Sequence, residues 1–534
     1  MARTLLFKNL RSLLLETNRP VTPSPTQEPP PLSRRDFLKA SLLAGSALSL
    51  APHKALAKLE KSARKIQPVA IVGLGAAGLT AAYQLQKLKI PFVLFEASSR
   101  VGGRVFTDDK TFAGQGQFCE LGAELVNSDH TALRNLAREL GVVIEDFGAP
   151  DPSLLSEIYV HDGIRYSASD VKTAAAPLVK SIRGDLKRIF GKSKPEAITA
   201  TSPFRHKAQT YDNTSLAQYL DVQTSLPAWF KGLLREAYET ENGVAIEKQS
   251  VLILFSMFAE FHGEWSTYGS SDETSRIKGG SSKLIEAIFK KIQPRGAVNF
   301  KHQLVQVIEK DGKIDLTFQT TEQLKTMTFS QVILGLPLPV LRQVGGFSDQ
   351  TLKLKAQVHK AIQELQYGYN SKTMLGFSQR IWRKPKKFEP STGSVLSNLY
   401  TSTLWETSRL QKDPAGILTF YAGGKKAHDV ALSNVSQMLT DIQALFPGAK
   451  DVFNQKTVQF NWPKYPWALG SYCSPAPGQY TTLMGLLHEP FLGHKLFLIG
   501  EHTSIDYYGF YDGAIESGQR VAEQIMQSWP EFAA

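Results

Sequence analysis

Residues Val69 to Leu79, Val-Ala-Ile-Val-Gly-Leu-Gly-Ala-Ala-Gly-Leu, constrain this chain more than any other segment. A short β-branched run enters Gly73-x-Gly75-x-x-Gly78 and continues as a helical pattern. Gly73 permits the tight turn, Gly75 lets a pyrophosphate approach the backbone, and Gly78 lets helix and strand pack closely. The helix N-terminus, with the N–H groups of Ala76 and Ala77, then faces the phosphates. A second strand, Phe92 to Phe95, ends in Glu96 and Ala97. The Glu96 carboxylate can accept both hydroxyls of an adenosine ribose, and its charge repels a 2′-phosphate. These features together predict an α/β, Rossmann-like dinucleotide-binding unit.

Length and composition bound the rest. The chain has 534 residues, 42% hydrophobic and 21% charged, ordinary values for a globular protein of about three domain-sized units. Two cysteines, Cys119 and Cys473, exclude a disulfide scaffold and any Cys-rich metal centre, and no histidine has a metal-ligand partner spacing. No metal site is expected. No long uninterrupted apolar run is present, which excludes a polytopic membrane protein and leaves no transmembrane anchor in the expected mature chain. Of the net charge of +12, residues 1–57 contribute eight basic and three acidic residues, leaving +7 for the remainder. That excess reads as a solvated surface, because no basic run is interleaved with aromatics as a nucleic-acid groove requires.

The first 57 residues read as a targeting segment. Six prolines between Pro20 and Pro31 precede Ser33-Arg34-Arg35-Asp36-Phe37-Leu38-Lys39, a weakly apolar stretch to Pro52, and Ala55-Leu56-Ala57. This order of charged, apolar and small-residue regions resembles the twin-arginine export signal of bacteria, with cleavage near Ala57. It implies the twin-arginine export machinery as a partner and a periplasmic enzyme carrying a cofactor acquired before export.

Directly after Glu96 comes Arg100-Val101-Gly102-Gly103-Arg104. Here the chain resembles the flavin-containing amine oxidase family (monoamine oxidase and L-amino-acid oxidase-like), whose second fingerprint is Arg-x-Gly-Gly-Arg. This motif selects FAD over NAD, with Arg100 or Arg104 compensating pyrophosphate charge and Gly103 allowing close contact. The resemblance continues at Glu120-Leu121-Gly122-Ala123-Glu124, which would run past the flavin ring, and at Arg276 to Gly280, where the chain would return to the cofactor domain. It extends to Leu304, whose backbone would hold adenine, and to Gly500-Glu501 after a buried-type strand. In Gly509-Phe510-Tyr511-Asp512-Gly513-Ala514 it places a helix N-terminus at the flavin pyrimidine, where the dipole stabilises negative charge. The implied fold is a discontinuous FAD-binding domain (66–145, 276–345 and 450–534) with an interleaved α+β substrate domain (146–275 and 346–449). Helical spacing in Leu216 to Leu220 and Trp229 to Tyr238, and alternation in Ser371 to Phe377, suit the latter.

The same resemblance assigns the chemistry. Tyr472, in the segment Trp462 to Tyr472 that also brings Trp467 to the cofactor, and Phe510 would be the two walls of an aromatic cage orienting a neutral amine. Lys372 would hold a water against flavin N5 and aid reoxidation by O2. Two departures bear on the outcome. Ser471 stands where covalent family members have the cysteine that attaches flavin, so FAD is expected to be non-covalent. Leu125 stands where amino-acid oxidases have a carboxylate-gripping arginine, in Gly122-Ala123-Glu124-Leu125, and Glu124 would repel a carboxylate if it faced the pocket. The expected activity is therefore oxidation of amines to imines, then aldehydes and ammonia, with release of hydrogen peroxide. The alternatives are an L-amino-acid oxidase, a dehydrogenase or desaturase using a quinone or protein acceptor, and a flavin-stabilised binding protein. The sequence does not set the oligomeric state; a dimer is compatible with it.

Overall fold

The computed structural model describes residues 67–529 except 150, 259–265, 267, 269–270, 293–297 and 386. The expected export signal lies outside the described residues. Strand Val69–Val72 is buried along its whole length and sits at the centre of a five-stranded parallel sheet. Its neighbours are Phe92–Phe95 and Val332–Leu334, with Val298–Asn299 and Leu496–Leu498 at the edges. Apolar side chains on both faces of such a strand require cover on both sides. Helices Ala76–Lys87, Ser282–Ile292 and Tyr511–Ser528 cover one face through Leu79, Ile285 and Ile515. An antiparallel sheet of Gln303–Lys310, Lys313–Gln319 and Leu324–Phe329 covers the other, with Phe318 stacked on Phe95 at 4.4 Å between centroids. The helix after the first strand can approach because residue 78 has no side chain. A Cβ there would overlap the Gly73 carbonyl oxygen, with the carbonyl carbon at 3.2 Å.

The second layer is a seven-stranded, mostly antiparallel sheet. Its order is Phe453–Asn461, Asn370–Phe377, Gly416–Gly423, Thr403–Glu406, Val395–Ser397, Ile158–His161 and Ile164–Tyr166. Strand Phe453–Asn461 corrects the expected boundary at residue 450: it pairs with Asn370–Phe377 over Ser371 to Phe377, so the chain returns to the cofactor layer only after residue 461. Asn370–Phe377 is also buried at all of its positions, since it lies inside this sheet with covered faces, rather than alternating between core and solvent. Helices Ala168–Phe190, Leu216–Asp221 and Ala228–Asn242 pack beside the sheet. The first two begin with reciprocal caps, Ser167 with Asp170 and Ser215 with Gln218.

Candidate active site

A cavity runs from the carboxyl ends of the parallel strands into the seven-stranded sheet. At the first end lie Gly73, Gly75, Ala76 and Ala77. No side chain caps the helix that begins there. An added Cβ at Gly75 would meet nothing nearer than Gly103 Cα at 3.9 Å, so the space in front of it is free of protein atoms. Glu96 and Ala97 line the same region, and the Glu96 oxygens accept the N–H groups of Leu74 and Ser98, each at 2.8 Å. Each carboxylate oxygen retains acceptor capacity beyond one such bond. Leu304 lines the wall with His302 and Gln303.

The middle of the cavity is framed by Gly103, Arg104, Gly122, Ala123, Gly500, Glu501 and Ala514. Arg104 donates to the Ser471 carbonyl (2.6 Å) and to Glu501 Oε1 (2.8 Å). Glu501 also accepts the Tyr367 hydroxyl (2.9 Å) and the Gly509 N–H (2.7 Å). Burial works against the ionised Glu501 carboxylate, but Arg104 and these hydrogen bonds outweigh it and hold its pKa below the ordinary range. Neighbouring His502 is also buried, and desolvation pushes its pKa down to about 4, so it is neutral near pH 7. Tyr511 lines the cavity with a buried hydroxyl that has no partner among the described residues. An open helix N-terminus, a carboxylate with spare acceptor capacity and an unpaired buried hydroxyl fit a dinucleotide with a polar ring system.

At the inner end Lys372, Trp467, Tyr472 and Phe510 line the cavity. Tyr472 and Phe510 also line a second, larger cavity, with Asn127, Asn242, Met257, Cys473 and Tyr508 among its other residues. The Tyr472 hydroxyl is tied to the Glu241 carbonyl and lies 3.1 Å from the Tyr421 hydroxyl, which pins the ring. The Phe510 ring meets His130 edge to face at 5.1 Å between centroids.

Five expected cofactor residues do not line the cofactor cavity. Gly78 serves helix packing, as described above. The Arg100 guanidinium is spent on its own turn, donating to the carbonyls of Gly103 (2.5 Å) and Val101 (3.2 Å) and lying 4.0 Å from the Phe106 ring. Arg104 is thus the motif's cavity arginine. Gly509 lines the second cavity instead. The Asp512 carboxylate accepts the Leu133 N–H at 2.7 Å, capping the helix Thr131–Glu139 rather than facing the cavity. Glu124 turns away from the cavity to pair with Lys372, so the expectation that its charge repels a substrate carboxylate has no basis in this arrangement. Leu125, in a short strand paired with Arg276, lines neither cavity, and Asn127 does.

Sequence reasoning missed Asn127, Asn242, Tyr421 and the turn Gly335-Leu336-Pro337, whose residues line the cofactor cavity directly after strand Val332–Leu334. A glycine and a proline immediately beyond a buried strand were the available signal for that turn. Nothing local marks the other three.

Known proteins resemble this chain over most of its length. It is 21% identical over 479 residues to the L-amino acid oxidase bordonein-L of Crotalus durissus terrificus, covering 86% of each chain. It is 22% identical over 474 residues to polyamine oxidase 3 of Oryza sativa subsp. japonica, covering 85% of this chain and 88% of that one. Among solved structures, putrescine oxidase bound to putrescine superposes with a TM-score of 0.71 at 19% identity, covering 86% of this chain and 99% of the other. Cyclohexylamine oxidase from Brevibacterium oxydans IH-35A gives 0.70 at 18% identity, covering 86% and 98%. The sequence profile of the flavin containing amine oxidoreductases matches residues 76–526. With a fold, a cavity and a profile that agree over this span, the chain belongs to the flavin-containing amine oxidoreductase family.

Proposed function

We propose that this protein is an oxidase of amines lacking an α-carboxylate, with FAD held non-covalently. The observation that carries this reading is the shared wall: Tyr472 and Phe510 border both the cofactor cavity and a second cavity that has no arginine among its described residues. Lys194 is the described cation there, alongside the carboxylates Asp129, Glu196 and Asp506. Such a lining suits a cationic amine arriving from solvent better than a carboxylate. FAD, when bound, would supply a two-electron acceptor for hydride from the amine α-carbon; the resulting imine would hydrolyse to aldehyde and ammonia, and O2 would be the terminal acceptor, giving hydrogen peroxide.

The protein's part is positioning. Glu96 would bind the ribose, and the N-terminus of Ala76–Lys87 would take the pyrophosphate. Arg104, fixed by Glu501, balances phosphate charge. The N-terminus of Tyr511–Ser528 would favour negative charge on the cofactor's ring system. Tyr472 and Phe510 orient the amine by shape and by the negative faces of their rings. Lys372 brings a cationic donor to the reacting end. Ser471 offers no thiol for attachment, and its hydroxyl donates to Asn370 Oδ1 at 2.6 Å. Export by the twin-arginine route to the periplasm is part of the same reading and rests on residues 33–57.

Oxidation of L-amino acids is the second reading. It gains from the relatives that carry that name and from the finding that Leu125 lies outside both cavities. Peroxide release during turnover of primary amines, diamines and L-amino acids separates the two. Activity confined to amines supports the proposal, and activity confined to L-amino acids overturns it.

A further inference from the structure

Lys372 and Glu124 form an ion pair buried inside the protein, at 2.8 Å, with the two side chains 1% and 4% exposed. The pair is built with care for every polar atom. Lys372 Nζ donates to Glu124 Oε2 and to the Gly122 carbonyl (2.9 Å). Glu124 Oε1 accepts Trp405 Nε1–H (3.1 Å) and the Thr407 hydroxyl. The ammonium also lies 5.3 Å from the Trp405 ring centroid. An ammonium has three N–H donors, so two are consumed and one remains, on a side chain that lines the cofactor cavity. Removing one partner of such a buried pair leaves the other charge uncompensated, whereas removing both is tolerated far better.

We propose that Glu124 is a positioning residue: it compensates the buried charge of Lys372 and directs the remaining N–H of that side chain into the cofactor cavity. The inference rests on the reading of Lys372 as the cation at the reacting end. The carboxylate sits behind the lysine, not in the cavity, so it acts through Lys372 alone. The other charged or titratable groups around the pair include Glu120, Cys119, Arg276, Arg409 and Tyr421, the last in register with Lys372 on the adjacent strand. Glu120 is the one to control for, because burial pushes its pKa up to about 8.

The test uses holoenzyme of the wild type, Glu124→Gln, Lys372→Met and the double variant. The absorption of oxidised flavin is followed without substrate from about pH 5.5 to 9.5, and reoxidation of reduced enzyme by air is followed over the same range. Without its counter-ion the buried lysine loses its proton as pH rises. Glu124→Gln is therefore expected to show a titration absent from the wild type, with a reoxidation rate falling ~10-fold or more across it. The double variant must lose that titration. A Glu124→Gln protein that titrates like the wild type overturns the proposal, and so does a titration that persists in the double variant, which would belong to Glu120. Should Glu124→Gln fail to fold, Thr407→Val weakens the hold on the carboxylate while leaving the pair intact. Extended below about pH 5.5, the wild-type spectral titration is expected to show a limb as Glu124 takes up a proton, and Thr407→Val to move that limb to higher pH; an unmoved limb overturns the proposal. Because the spectral arm needs no substrate, it stands apart from the amine oxidase reading, which fails separately if no amine reduces the wild type.

Discussion

Two glycines three residues apart serve different purposes here, and alanine at each should separate them. At Gly78 a Cβ overlaps the Gly73 carbonyl oxygen and reaches Ile71 Cγ2 at 3.6 Å, so the helix must move off the central strand whether or not FAD is bound. Overpacking of this kind costs about 1–3 kcal/mol, and its target here is backbone that cannot turn aside. At Gly75 the backbone is extended, with φ of −72°, which alanine adopts freely. The nearest protein atom is 3.9 Å from the new methyl group. Its clash is with the cofactor alone. Gly75→Ala should leave the apoprotein within about 0.5 kcal/mol of wild type but weaken FAD binding roughly 10- to 100-fold, about 1.4–2.8 kcal/mol. Gly78→Ala should lose both. The assay is thermal or denaturant unfolding of flavin-free protein beside FAD titration by fluorescence quenching. Wild-type FAD affinity in Gly75→Ala, or wild-type apoprotein stability in Gly78→Ala, would refute this division of labour.

Other expectations follow from the same geometry. Unfolding in acid or guanidinium should release all flavin into a protein-free filtrate, because residue 471 is serine and Cys473 lines the other cavity; flavin retained on the chain would contradict this. Phe510→Ala removes one wall between the two cavities and should lower kcat/KM for amines by about tenfold or more, with FAD content unchanged. His502, at about 4 in the folded protein against an ordinary 6.5, binds a proton in the unfolded chain before it does in the native one. It therefore subtracts stability as pH falls from about 6.5 toward 4, by up to ~1.4 kcal/mol per pH unit. The difference in unfolding free energy between wild type and His502→Asn should slope in that window and flatten above it. A flat difference throughout would show that burial does not suppress the charge.

The cofactor half of the molecule was legible because its signals are local. Val69 to Leu79 encodes strand, turn and helix in eleven consecutive residues, and the structure brings Gly73, Gly75, Ala76 and Ala77 to one cavity with Glu96, which follows closely in sequence. The seven-stranded sheet and the inner end of the cavity depend on contacts between distant segments. Glu124 and Lys372 are 248 residues apart, and the Tyr472 hydroxyl is held by Glu241, 231 residues earlier. No periodicity connects such positions, and so the sequence reading aimed Glu124 at the flavin and Asp512 at the cofactor. Strand Phe453–Asn461 was assigned to the wrong layer for a related reason: its pairing with Asn370–Phe377 is a long-range choice that neither segment reveals alone. Arg100 shows the converse limit. The motif places it correctly in the turn, but only the folded structure shows that neighbouring carbonyls claim its guanidinium.

The central claim is that the cavity beside Tyr472 and Phe510 delivers amines without an α-carboxylate to the flavin. Anaerobic mixing of the yellow holoenzyme with a panel of amines and L-amino acids, followed near the usual flavin band at about 450 nm, tests it without dependence on the electron acceptor. The account predicts rapid bleaching by amines and none by L-amino acids. Bleaching by L-amino acids alone would contradict it.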